Sequence, residues 1–427
     1  MGVIYELCRR GFLGGYKQAC AYLRNNYLTG ATPRQVPKEW DSEVERIENT
    51  YQGVRLWLNN FGERIGEYVP RYFMLMRNLE ESSDKYLNVM FDSNYELGNK
   101  ALSKIISRYV TVCNTENKRR WVYILSKLSK FHKVDYSKYF SLCIRCNDER
   151  IYTAEWTKNK LLLSDEEIRC CKQKMTEMGL NEPYVCIFNR DSAYLNRLYP
   201  NVDWSYHDYR DSSITTRYPM IEYLGKKGIQ TVRVGKDAVE RCIHENCIDY
   251  TNDYRDDLMD IFLHTKAKFI VGDNTGLNII PISTNGCYVC TNLCPTFFAT
   301  YNGYPNTFNG LIIFKRLFDV NRNKFLSLEE MAVVEEKARA DAGKYAELGL
   351  RFIDNSPQEI LEAAEEMNAR IDGTWIETDE DKMRQKKFND FRHKIEERYE
   401  LAESDNLHVR IGARFLEQNW EIFGLDG

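Results

Sequence analysis

Tyr184-Val185-Cys186-Ile187-Phe188-Asn189-Arg190-Asp191-Ser192 is the stretch on which the fold turns. Its apolar run stops abruptly at a polar cluster, as a parallel strand buried on both faces does when it delivers functional groups at its carboxyl end. A polar loop, His207-Asp208-Tyr209-Arg210-Asp211-Ser212-Ser213, leads into a helical pattern from Ile214 to Lys226. Ser212 and Ser213 are suited to cap that helix, and Gly228 to stop it. Two further strands repeat the design: Thr231-Val232-Arg233-Val234 runs into Gly235, and Lys268-Phe269-Ile270-Val271 into Gly272-Asp273-Asn274-Thr275-Gly276. Strands that end in glycine or polar residues predict a doubly wound α/β sheet with a ligand crevice along its carboxyl edge.

Working outward, Asn278 to Ile282 starts a helix interrupted by Pro281, and Cys287–Cys290 and Leu311–Phe314 read as strands. A helical tail occupies 328–350, 357–371 and 378–403, its second helix opened by Ser356 as cap, Pro357 in the first turn and Glu359. Upstream, a charged helix from Asp165 to Met178 reaches a hinge at Asn181-Glu182-Pro183. Before it, strands at 72–76, 87–91 and 109–112 and a helix at 101–107 outline a first Rossmann-like unit. Residues 115–165 show no assignable pattern. Val44, Ile47, Tyr51, Val54, Leu58, Phe61 and Ile65 recur at three- and four-residue steps, which predicts one helix over 41–65 ending before Pro70. The expected organisation is a helical N-terminal extension (1–70), a first Rossmann-like domain (71–180), a second Rossmann-like domain (181–325) and a helical tail packed on it (326–427).

Across 427 residues, 59 Lys plus Arg stand against 63 Asp plus Glu, a net charge of -4 that argues against bulk attraction to nucleic acid. The 13 cysteines, in a chain of this size without a signal-peptide pattern, predict reduced thiols and a cytoplasmic protein. Residues 2–28 are amphipathic, with Arg9, Arg10, Lys17 and Arg24 among apolar positions, but fall short of the roughly 20 apolar residues of a membrane span. They suit either peripheral contact with the inner face of a membrane or packing within the protein. The 41–65 stripe favours a homo-oligomer.

Chemistry concentrates at the strand ends. A nucleotide diphosphate needs cations, backbone N–H groups and small residues that permit close approach. Arg190, Arg210 and Arg233 supply the cations, Asn274-Thr275-Gly276 and Gly235 the close approach, and Asn189, His207, Ser212 and Ser213 further polar contacts. Asp191 and Asp208 are the nearest carboxylates. Each serves equally as a base on an acceptor hydroxyl or as an ion-pair partner of Arg190 or Arg210. No metal is expected. Asp319, Asn321, Asn323, Ser327 and Glu330 match the offsets of a calcium loop, but Lys324 stands where that loop turns on glycine. Cys143 and Cys146, and Cys287, Cys290 and Cys294, have metal-like spacing with no histidine pattern to complete it, and read as buried thiols.

Residues 184–195, 207–235, 269–281 and 352–375 together resemble a group of bacterial glycosyltransferases associated with surface-polysaccharide genes, over about 184–400. The resemblance implies two Rossmann-like domains in the GT-B arrangement, a nucleotide-sugar donor, a glycan or lipid-linked acceptor, and no essential metal or other cofactor. The arginine-bearing strand end with a small-residue phosphate turn after it also looks like the donor half of fucosyltransferase-type enzymes. Those present a histidine before the arginine, where this chain has Phe188-Asn189. A sugar-nucleotide epimerase of the same architecture and a non-catalytic assembly scaffold are the alternatives.

Overall fold

The computed structural model describes residues 36–59, 85–92, 98–114, 116–128, 131–133, 163–284, 286–297, 310–338, 341–399 and 410–425, with scattered positions between 65 and 79. The chain divides into two compact units, residues 1–138 and 139–427.

In the first unit, helix α1 (Lys38–Thr50) leads to β1 (Gly53–Asn59), which pairs in parallel with β2 (Tyr86–Asp92). Helix α2 (Lys100–Ile106), capped by the Asn99 side chain, precedes β3 (Thr111–Cys113); α3 (Lys118–Lys127) precedes β4 (Phe131–Lys133). The all-parallel order is β3-β2-β1-β4. Ile47, Val54, Val89, Trp121 and Ile124 form its core, and Tyr123 donates to Asp41 (2.6 Å) to tie α3 to α1. The helix expected over 41–65 therefore stops at Thr50. Val54, Leu56 and Leu58 also alternate with Arg55, Trp57 and Asn59, and pairing to strands on both sides selects that period of two. Fully buried Val54 sits in this core, not on a helix offered to a second copy. The strand expected at 72–76 is also overturned. Tyr72 and Met76 are helical and buried, as are Tyr68 and Val69, the spacing of one helix face. The amphipathic stretch 2–28 and Cys143 and Cys146 lie outside the described residues.

In the second unit, α4 (Asp165–Glu177) opens with a capping box between Ser164 and Glu167. The chain then enters β5 (Tyr184–Phe188), α5 (Ala193–Leu198), a 3₁₀ turn at Ser205–Arg210, and a second at Ile214–Arg217 that continues into α6 (Tyr218–Lys226). Strands β6 (Gln230–Arg233) and β7 (Cys247–Ile248) come next, then α7 (Asp257–Lys266), β8 (Phe269–Asp273), α8 (Ile279–Thr284), β9 (Tyr288–Leu293) and β10 (Gly310–Phe314). The six strands are all parallel in the order β10-β9-β8-β5-β6-β7. Counted from β5, that is the doubly wound order 3-2-1-4-5-6, whose direction reverses between β5 and β8.

The tail is less uniformly helical than its sequence predicts. Strands β11 (Arg316–Asp319), β12 (Lys324–Phe325) and β13 (Leu350–Ile353) form a small antiparallel sheet around α9 (Leu328–Ala338) and α10 (Ala342–Glu347). The helix expected over 328–350 is interrupted at Asp341, whose extended backbone caps α10, and ends before Gly349, whose φ of +69° is left-handed backbone. Helix α11 (Pro357–Ile371) has the Ser356–Glu359 capping box read from the sequence, and α12 (Asp379–Arg398) and α13 (Ala413–Phe423) complete the chain. Ile360, Met367, Phe388, Phe415 and Phe423 share one continuous core with β5, β8 and β10.

Candidate functional site

The sheet reverses direction between β5 and β8, and there the two strands lie so close that Gly272 leaves no room for a side chain. A Cβ on Gly272 would stand 2.2 Å from the ring of its cross-strand partner Phe188. Beyond this contact the chain delivers Asn189-Arg190-Asp191 from one strand and Asp273-Asn274-Thr275 from the other.

Asp273 is the hub of this edge. Its Oδ1 accepts from Arg217 Nη2 (2.6 Å), Thr291 Oγ1 (2.8 Å) and Asn292 Nδ2 (2.9 Å); its Oδ2 accepts from Arg190 N–H (2.8 Å) and Ser212 Oγ (2.5 Å). Burial pushes this carboxyl up, but the Arg217 guanidinium and the hydrogen bonds prevail and hold it below the usual carboxylate value. Arg217, fully buried, also donates to Ser213 O and Thr216 Oγ1 (3.1 Å each). Asn292, with a left-handed φ of +51°, exchanges two backbone-to-side-chain bonds with Asn355 (2.6 and 2.7 Å). Residues 184–195 and 207–235 thus bond directly to the carboxylate carried by 269–281, and 352–375 reaches it through Asn355 and Asn292.

A second buried group braces the neighbouring strand. Arg233, 2% exposed, donates to Glu240 O and Asn189 Oδ1 (3.1 Å each) and lies within 4 Å of Asp191 and Asp249. It is sealed inside the domain and cannot clamp a phosphate as the sequence suggested. Asn189 is spent in the same way, its Nδ2 donating to Ser212 O (2.7 Å). Ser212 is bound to Asp273, and Ser213 caps the turn at Ile214 and donates to Glu240 (2.8 Å). Asp191 accepts two backbone N–H groups, from Ala193 (3.0 Å) and Val239 (2.9 Å), and so shapes the loop as an acceptor with both oxygens engaged.

The residues left facing the edge lie in the 3₁₀ turn and at the ends of β5 and β8. Arg190 pairs with Asp211 and donates to His207 O (3.2 Å). Burial, and then the adjacent Arg210, lowers its pKa. Arg210 is half-buried and, among the described residues, makes one hydrogen bond, to Asn274 O (2.7 Å), while its Nε is unmet. Arg217 and Arg233 also have an unmet, enclosed Nε; as whole residues both are closed off from solvent, whereas Arg210 is half-buried. Asn274 Oδ1 is likewise buried and unmet. Thr275 caps the short turn Gly276–Asn278 through Leu277 N–H (3.2 Å), and Gly276 is exposed. His207 packs its ring against Trp204 and Tyr206, and Gly235 lies just past β6. Asp208 is exposed and has no side-chain hydrogen bond among the described residues. Asp211 is pushed up to about 6 by burial, against the pull of Arg190, with Asp208 and Asp191 adding to the rise.

Arg217, Asp211, Asn292, Asn355 and Lys315 were not singled out from the sequence. Lys315, 1% exposed, holds the turn by donating to Tyr209 O (2.9 Å) and Asp211 O (2.8 Å) while pairing with Asp354 (2.8 Å). Its signal was a lysine directly after the apolar run of β10, where a strand end meets the same edge. In the calcium-like loop, Asp319 pairs with Arg322, and Glu330 with Arg322 and Lys324. Cys290 and Cys294 are buried, their thiols pushed up by burial, to about 12 for Cys294.

No family model and no curated protein matches the chain. Among solved structures it is similar to an ADP-heptose lipopolysaccharide heptosyltransferase II of E. coli, at 15% identity and a TM-score of 0.37, over 75% of this chain and 99% of that one. It is also similar to a glycosyl transferase family 9 protein from Veillonella parvula (12%, TM-score 0.37, 75% and 98%). A third is the wall teichoic acid polymerase TagF (11%, TM-score 0.28, 84% and 99%). The expected likeness to fucosyltransferase-type donor domains has no counterpart among these three. Likeness this remote leaves the activity to be read from the chain's own residues.

Proposed function

We propose that the chain is a glycosyltransferase that moves a sugar from a nucleotide-sugar donor to a glycan or lipid-linked acceptor in surface-polysaccharide assembly. The observation that carries this is the pair Arg190 and Arg210 beside the switch point of a doubly wound sheet, Arg210 half-buried with its Nε unmet. Two adjacent guanidiniums offset by one carboxylate make a place for a diphosphate, and Asn274 and the exposed Gly276 let it approach the backbone closely. In transfer, negative charge gathers on the leaving diphosphate, where preorganised cations stabilise the transition state most. Asp208, exposed and free to accept a proton from an acceptor hydroxyl, is the base we assign; Asp191 is a structural acceptor. The two parallel α/β units are taken as acceptor and donor halves of a GT-B enzyme that works without a metal, in the cytoplasm or at the membrane's inner face. Among the described residues no helix is long and apolar enough to cross a membrane.

The test is a thermal-shift screen of the full chain with uridine, guanosine, cytidine and thymidine diphosphates, because a ligand that binds only the native state raises its melting temperature. One nucleotide should stabilise the chain, and incubation of the matching nucleotide-sugar with glycan acceptors should then give a transferred product in the presence of EDTA. Stabilisation by none of the four overturns the nucleotide site. An isomerised donor formed without acceptor replaces transferase by epimerase.

A further inference from the structure

The segment between β6 and β7 brings two thiols face to face, away from the 3₁₀ turn. Cys242 Sγ and Cys247 Sγ stand 3.3 Å apart. A short turn holds them so: Cys247 N–H donates to His244 O (3.0 Å), Asn246 N–H to His244 Nδ1 (3.2 Å), and Cys242 N–H to Asp249 Oδ2 (3.0 Å). Cys242 is buried and Cys247 half-buried, beneath a loop whose Ile243 is 78% exposed. A disulfide needs sulfurs about 2.05 Å apart, so closing the gap takes a small rotation of two side chains already in contact.

We propose that Cys242 and Cys247 are a modification site that hydroperoxides convert reversibly into an intramolecular disulfide. The Cys247 thiolate attacks the O–O bond, becoming a sulfenic acid, while the departing alkoxide or hydroxide takes a proton and leaves as alcohol or water. The Cys242 sulfur then attacks the sulfenic sulfur; the S–S bond forms, the S–O bond breaks, and hydroxide leaves with the Cys242 proton as water. Two thiols lose one electron each and the peroxide gains both. The contact sets the order of attack. The Cys242 S–H donates to Cys247 Sγ, which lowers the Cys247 thiol against the opposing effect of burial and raises that of Cys242.

The bond would close a ring on the arm that braces the candidate site. Glu240 of that arm accepts from Ser213 Oγ (2.8 Å) and Ile214 N–H (3.0 Å), and its carbonyl accepts from Arg233. Asp249, bonded to Cys242, lies 3.7 Å from the same Arg233. Oxidation therefore stiffens the wall behind the 189–213 loop whatever ligand that loop takes.

The experiment treats the folded full-length chain with hydrogen peroxide, alkylates the remaining thiols and digests with trypsin. Cleavage after Arg241 and Arg255 leaves both cysteines in one peptide, 242–255. The expected result is that this peptide escapes alkylation, is lighter by two hydrogens, and regains two alkyl groups after treatment with dithiothreitol. In Cys242→Ser, the same peptide should carry a sulfenic acid on Cys247 that dimedone traps, which reports the order of attack without requiring the disulfide. The proposal is overturned if peptide 242–255 remains fully alkylatable at a dose that oxidises the exposed Cys170, or if either cysteine is found bonded elsewhere.

Discussion

The Asp273 knot and the 190–212 loop, which carries Arg190 at its start and Arg210 in its 3₁₀ turn, lie side by side at one sheet edge, yet they treat charge in opposite ways. Around Asp273 both oxygens are filled, Arg217 is fully enclosed, and the ion pair is closed by Thr291, Asn292 and Ser212. A carboxylate so satisfied has no lone pair for an acceptor hydroxyl and no reason to take up a proton. A few residues away, among the described residues, Arg210 makes one hydrogen bond and Asn274 has an unmet oxygen, while Asp211 holds its proton to unusually high pH. Buried polar groups are normally paired, so we read the first region as holding the fold and propose the second as the ligand site. The knot fixes Arg190 N–H and Ser212, and through them both ends of the loop that presents the second region.

Breaking the knot should have the largest effect. Arg217→Met leaves Asp273 charged and enclosed without its cation, and removal of one partner of a buried pair costs about 3–5 kcal/mol. Chemical denaturation should show that loss, with a lowered midpoint and an unchanged slope. A change below about 1 kcal/mol would mean that Thr291, Asn292 and Ser212 suffice alone. Arg233→Ala should behave in the same manner, since Asp249 loses its neighbouring cation and the side-chain amide oxygen of Asn189 and Glu240 O lose their donor; it tests fold and not affinity.

Much of this second unit was legible. A strand such as 184–188, buried on both faces, announces itself by an unbroken apolar run, and the Ser356–Glu359 box marks a helix start by local chemistry alone. The first unit was less so, because Val54 and Leu58 satisfy a helical step and an alternation equally, and only strands β2 and β4, distant in sequence, choose between them. At the site, sequence placed the right segments at the edge but could not tell sealed arginines from open ones. Arg233 and Arg190 both stand at strand ends, and what separates them is Glu240, Asp249 and Asn189, brought in by the fold. Arg217 was hidden inside an apparent helix and stands at no strand end, where the sequence argument looked for cations.

If the second region binds phosphate, Arg210→Ala should weaken nucleoside diphosphate binding by about ten- to a hundredfold. That corresponds to the roughly 1.5–3 kcal/mol of a charge-assisted hydrogen bond. Stability should fall by less than in Arg217→Met, since one hydrogen bond, to Asn274 O, is lost and no buried charge is left unpaired. Titration calorimetry measures the first and denaturation the second. A reversed pattern, with stability lost and affinity kept, would assign Arg210 to the fold with Arg217.

The smallest effect concerns Asp211, which holds Arg190 in the unliganded protein. Its pKa is raised by burial from 3.8 to about 6, so the folded state favours the protonated acid. A group raised in this way adds stability that is fully present below pH 3.8 and is lost as pH rises through about 6. Above that pH the carboxylate competes with a phosphate for Arg190; below it the competitor is gone. Asp211→Asn imitates the protonated acid at every pH, so it should bind nucleoside diphosphate a few-fold more tightly than the unaltered chain at a pH well above 6. The two affinities should converge as pH falls through about 6. Protonation of the nucleotide itself affects both proteins alike and cancels in their ratio. A ratio that stays constant across that range would show that Asp211 does not gate Arg190, and would leave Arg210 as the cation to which the phosphate first binds.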